Sequence, residues 1–150
     1  MIRNLKRLGA SKAELLEVYE KQCRSILELA VPVWTAGLTS EDVVALERVQ
    51  KSAFAIILGR QYNGYQNALT DLHMKSLEER RMDLCIKFAK KSVKSDKYKH
   101  WFVKNDKPVV PAVKTRRERI ITTFKPVKTR TDRYRDSPLP FLTMLLNDNM

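Results

Sequence analysis

One signature, written three times, most constrains this chain. Ser11-Lys-Ala-Glu14, Thr39-Ser-Glu-Asp42 and Ser76-Leu-Glu-Glu79 each place a hydroxyl residue three positions before an acid. The hydroxyl accepts from a free N–H of a first helical turn, and the acid reaches back to the amide of the hydroxyl residue. The acid also suits the positive end of the helix dipole. Apolar residues at helical spacing follow each signature, which predicts helices near 12–34, 40–58 and 77–94. With only 4 Gly in 150 residues, a turn-rich β fold is disfavoured. The expected fold is all-α: a small bundle of three main helices plus a short helix near 65–72.

Leu15, Tyr19, Cys23, Ile26, Ala30 and Val33 fall on one stripe of the first helix. Pro32 lacks the N–H that would bond Glu28, so a kink or a loosened last turn is expected there. In the second helix Val43, Leu46, Gln50, Ala53 and Ile57 form one row, and Val49, Phe54 and Ile56 another; Gly59 is placed to end it. In the third, Leu77, Met82, Leu84, Cys85, Ile86, Phe88, Ala89 and Val93 cover one arc. Arg80, Lys87, Lys90, Lys91 and Lys94 cover the opposite one. Arg81 falls inside the apolar arc and is expected to meet a carboxylate there.

After residue 102 the helical period is lost. Residues 103–135 carry 11 Lys/Arg against 3 Asp/Glu and are punctuated by Pro108, Pro111 and Pro126. The sequence then turns apolar, with Leu139, Phe141, Leu142, Met144, Leu145 and Leu146. Ser137 can cap and Pro138 can take the first helical position, so 137–150 is expected to dock on the bundle as a short helix. That would leave 1–102 as the bundle and 103–136 as a basic extended linker or strap.

A net charge of +12 and a pI near 9.9 argue for an anionic partner, and nucleic acid is the usual one. Two groups of cations are placed to neutralise phosphates: Arg80, Lys87, Lys90, Lys91 and Lys94 on the helix, then Lys114, Arg116, Arg117, Arg119, Lys128, Arg130, Arg133 and Arg135. Phe124 and Tyr134 lie among the latter and can stack on bases.

Catalytic patterns are missing from the sequence. His73, His100, Cys23 and Cys85 lack metal-ligand spacing, and no GxGxxG, P-loop, GxSxG or metal-binding Asp pair is present. The chain is therefore expected to be non-catalytic alone, with no cofactor, metal or small-molecule substrate. No apolar run approaches the roughly 18 residues of a membrane span. The N-terminus lacks a signal-peptide core. Two cysteines without a pairing framework suit a reducing compartment, nucleus or cytoplasm. The helical pattern begins with no lead-in, as expected of a piece of something longer.

Several stretches carry a family likeness. They are Leu27-Glu-Leu-Ala-Val-Pro-Val-Trp34, Leu46-Glu-Arg-Val-Gln-Lys-Ser-Ala53 and Ile56-Ile-Leu-Gly59. Further on come Leu77-Glu-Glu-Arg-Arg81, Leu84-Cys-Ile-Lys-Phe-Ala-Lys90 and Arg133-Tyr-Arg-Asp-Ser-Pro-Leu-Pro-Phe-Leu-Thr143. Their order and spacing resemble the region after the polymerase palm in reverse transcriptases of non-LTR (LINE-type) retrotransposons. The resemblance implies a thumb and C-terminal region of an RNA-directed DNA polymerase. A helical thumb of this kind holds an RNA, DNA or hybrid duplex by its backbone and sits beside a palm domain. The aspartate-bearing palm motif is missing, so polymerase activity is not implied for this chain. A reading of another class is a helical interaction module whose basic surface meets an acidic protein.

Overall fold

The computed structural model describes residues 1–105 and 123–149. Among these residues the structure is all-α, without a strand. The helices are α1 (Ile2–Arg7), α2 (Lys12–Val18), α3 (Ser25–Leu27), α4 (Val31–Trp34), α5 (Ser40–Leu58), α6 (Tyr65–Asp71), α7 (Leu77–Lys94), α8 (Asp132–Arg135) and α9 (Pro138–Asp148). They form two compact units, 1–31 with 38–82 and 32–37 with 83–150. The division falls inside α7, whereas the sequence suggested boundaries near 102 and 136.

All three start signals operate. Ser11 Oγ accepts from the Glu14 amide and Thr39 Oγ1 from the Asp42 amide, and in both boxes the acid accepts the cap's own N–H. Ser76 Oγ accepts from the Glu79 amide at 3.1 Å. Hydrogen bonds from Ser11 hold the Glu14 carboxyl below its ordinary value, and those from Thr39 do the same for Asp42.

The first predicted helix is not continuous. After α2 the backbone widens into π turns over Tyr19–Arg24, closes with α3, and then turns at Ala30, whose φ is +53°. The wide turns put extra residues into the helix and rotate all later side chains off the stripe. Leu15 and Tyr19 are buried, but Ile26 is 72% exposed and Val33 66%. The kink expected at Pro32 is instead a full break before it. Pro32 cannot donate to Glu28, and it stands as the second residue of α4, where a missing N–H is harmless.

In the first unit, Leu15 and Tyr19 pack with Ala53, Phe54, Ile57 and Leu58 of α5, Ala68 of α6, and Ile2 of α1. The sequence pattern did not reveal α1 at all. Its Lys6 donates to the carbonyls of Ile56 and Ile57, the orphan acceptors at the end of α5. Gly59 follows at φ +58°, as the chain reversal there requires.

Buried polar groups tie the elements of this unit together. Tyr19 Oη donates to Gln50 Oε1 and Gln50 Nε2 donates to the Lys75 carbonyl, each at 2.9 Å. Glu47 accepts from the Tyr65 hydroxyl and, at 2.8 Å, from the Glu78 amide in the first turn of α7. Burial pushes both tyrosine hydroxyls up, and for Tyr65 the Glu47 carboxylate adds to the rise.

Arg81 departs from this pattern. It is only 3% exposed, as the apolar arc implied, but the expected carboxylate is missing. Its Nε has no hydrogen-bond partner, and among the described residues it makes no ion pair. Glu28 is already engaged by Arg80 and Arg24. A guanidinium cannot shed its proton to escape burial. Arg81→Met is therefore expected to raise stability by about 1–3 kcal/mol, since it removes a desolvated charge and keeps most of the volume. Urea unfolding of the variant checks this; a loss of stability would mean that the guanidinium has partners in solution.

The second unit holds α9 as a docked helix. Leu142, Thr143 and Leu146 are buried, and α9 packs on the turn Thr35–Gly37. Pro138 takes the first helical position as expected. Ser137 does not cap through its side chain; its hydroxyl donates to the Tyr134 carbonyl at 2.6 Å. Asn147 brackets Phe124, accepting from its N–H at 2.9 Å and donating to its carbonyl at 3.2 Å.

Candidate nucleic-acid interface

The inner face of α7 buries Leu77, Arg81, Cys85, Ala89 and Ser92, a run at helical spacing. Lys87, Lys90, Lys91 and Lys94 are thereby turned outward, and all four are exposed. They lie in the part of α7 that belongs to the second unit. With Asp83 and Ile86 they line one open concavity. None of the four makes an ion pair among the described residues. The row spans two helical turns, about 10 Å along the axis. Lys91 and Lys94 also stand in the last turn, where the helix dipole favours cations.

Arg80, expected in this row, is committed elsewhere. Its Nε and Nη2 form a forked pair with Glu28, the Nη2 bond being 2.9 Å, so its charge is matched within the first unit.

The second unit also carries the described part of the basic segment. Lys128, Arg130 and Arg133 are exposed and make no ion pair among the described residues. Arg135 pairs with Asp132 at 3.1 Å and Asp136 at 3.2 Å, contacts too exposed to hold it firmly. Lys114, Arg116, Arg117 and Arg119 lie outside the described residues.

The described residues on either side, 103–105 and 123–125, are paired with each other. Lys104 and Phe124 form an antiparallel bridge, with the Asn105 amide on Thr123 O at 3.0 Å and the Lys125 amide on Val103 O at 2.8 Å. Phe124 is 1% exposed and meets Phe102 edge to face at 6.1 Å, so it is not free to stack on a base. Tyr134 is exposed.

Sequence reasoning missed the turn after α7, Lys97-Tyr-Lys-His-Trp101. Tyr98 and Trp101 have ring centroids 4.8 Å apart, His100 meets Trp101 edge-on at 6.2 Å, and Lys97 Nζ lies 5.3 Å from the Tyr98 ring centroid. The signal was legible in principle: aromatic residues alternate with lysines there.

Among the described residues no group of His, Cys, Asp and Glu side chains could hold a metal ion, and no helix is long and apolar enough to cross a membrane. Among the described residues neither Cys23 nor Cys85 forms a disulfide. No family model, curated protein or solved structure matches the chain.

Proposed function

We propose that this chain is a non-catalytic helical module that binds nucleic-acid backbone without sequence preference, in the manner of a reverse-transcriptase thumb. The observation that carries the reading is the row Lys87, Lys90, Lys91 and Lys94: outward, on one face, and unmatched by carboxylates among the described residues. Cations left free by the fold are available to phosphates, and each phosphate they neutralise releases condensed counterions. Lys128, Arg130 and Arg133 add free charge in the same unit. The motif likeness at Leu27–Trp34, Leu46–Ala53 and Arg133–Thr143 supports a thumb-like piece of a retrotransposon polymerase that works beside a palm domain.

A salt titration tests the reading. Duplex affinity is expected to fall with salt at a log–log slope of about −0.9 for each phosphate contacted, hence about −3 to −4 for the four lysines alone. Heparin and tRNA should compete. Binding to an acidic protein that survives about 200 mM salt, with no salt-sensitive nucleic-acid binding, would sink the proposal in favour of a protein-interaction module.

A further inference from the structure

The turn after α7 places an aromatic platform close in the chain to the lysine row. Tyr98 and Lys99 amides donate to the Ser95 carbonyl at 3.1 and 2.9 Å, and Trp101 N donates to Tyr98 O at 3.0 Å, which fixes the turn Lys99–Trp101. Phe102 anchors it, buried and packed on Phe124. Trp101 remains 40% exposed. The turn begins five residues past Lys94, in the same compact unit as the row. Indole is costly to leave in water, and here the backbone holds it at the surface in a unit that also presents a stripe of free ammonium groups.

We infer that Trp101, with Tyr98 behind it, is a stacking platform for an unpaired base, and that the preferred ligand is a single strand. This rests on the proposed backbone-binding role of the lysines. A base stacks on an aromatic ring only when one of its faces is free, and a duplex interior offers none. The lysine row tracks the phosphates of that strand while the platform takes a base at its end. Tyr98 cannot serve alone, because Lys97 lies over its ring. His100, exposed and edge-on to Trp101, closes one side.

Tryptophan fluorescence tests this on the full chain, with a single-stranded oligonucleotide and the duplex of the same strand as probes. The single strand should quench tryptophan emission saturably in wild type, a quench that Trp101→Ala, which keeps Trp34, should lose; by anisotropy of the labelled strand, Trp101→Ala should bind it about tenfold more weakly with duplex affinity unchanged. Trp101→Phe, which keeps a ring, should recover most of the loss. Equal affinities of wild type and Trp101→Ala for the single strand would overturn the platform while leaving backbone binding standing. Failure of both probes to bind wild type would overturn the backbone reading itself.

Discussion

Reversing Lys87, Lys91 and Lys94 to glutamate is expected to weaken duplex binding by about 100-fold or more at ~0.1 M salt. Each lysine that neutralises a phosphate contributes about eightfold at that salt through counterion release, and three such contacts multiply to roughly a few hundred. Glutamate adds repulsion to the loss. The fold should not change, because these side chains face outward and make no ion pair among the described residues. The one foreseeable cost is about a few tenths of a kcal/mol for placing acids at the negative end of α7. Fluorescence anisotropy with a labelled duplex gives the affinity, and circular dichroism with thermal melting gives the fold. An affinity within a few-fold of wild type, with the melting curve intact, would mean that the row is only a solvated face. Arg80→Gln makes an informative contrast. It should leave the salt slope alone and cost stability, since that guanidinium holds Glu28 rather than a phosphate.

The features legible in the sequence arise from interactions between near neighbours. The three start signals required only a hydroxyl and an acid within one turn, so Ser11, Thr39 and Ser76 could be read directly. The outward lysine row was equally local, a matter of about 100° per residue. The π turns over Tyr19–Arg24 were not legible, because widening a helix leaves the sequence spacing unchanged while rotating everything after it. Glu47 read as an ordinary helical acid; its role on the first turn of α7 depends on a residue 31 positions away. The same holds for Lys6, which closes the end of α5 from a helix the pattern did not reveal. Arg81 was placed correctly on the buried face, but its lack of a partner is a property of the packed molecule. Within the candidate interface, helical period reveals the α7 lysines. It is blind to the aromatic turn at 97–101, which has no period to detect.

The apolar end of the chain yields the second large effect. Replacing Leu142 and Leu146 together with alanine is expected to lower stability by about 4–6 kcal/mol. Both side chains are buried, at 2% and 1% exposure, and α9 is an 11-residue helix that would not hold its form in water without a packing surface. Its release would also free Phe124, whose N–H and carbonyl are gripped by Asn147. Lys125, whose amide donates to the Val103 carbonyl, would be freed with it. Hydrogen exchange reads these steps separately: the amides of Phe124 and Lys125 should be protected in wild type and fast in the variant. Met144→Ala, on the exposed side of α9, should change stability by no more than about 0.5 kcal/mol. An unchanged melting temperature in the double variant, with Phe124 still protected, would mean that α9 does not hold this unit together. The double variant keeps every charge of the chain. Any loss of nucleic-acid affinity in it therefore measures how far Lys128, Arg130 and Arg133 depend on being held in place, rather than on their charge alone.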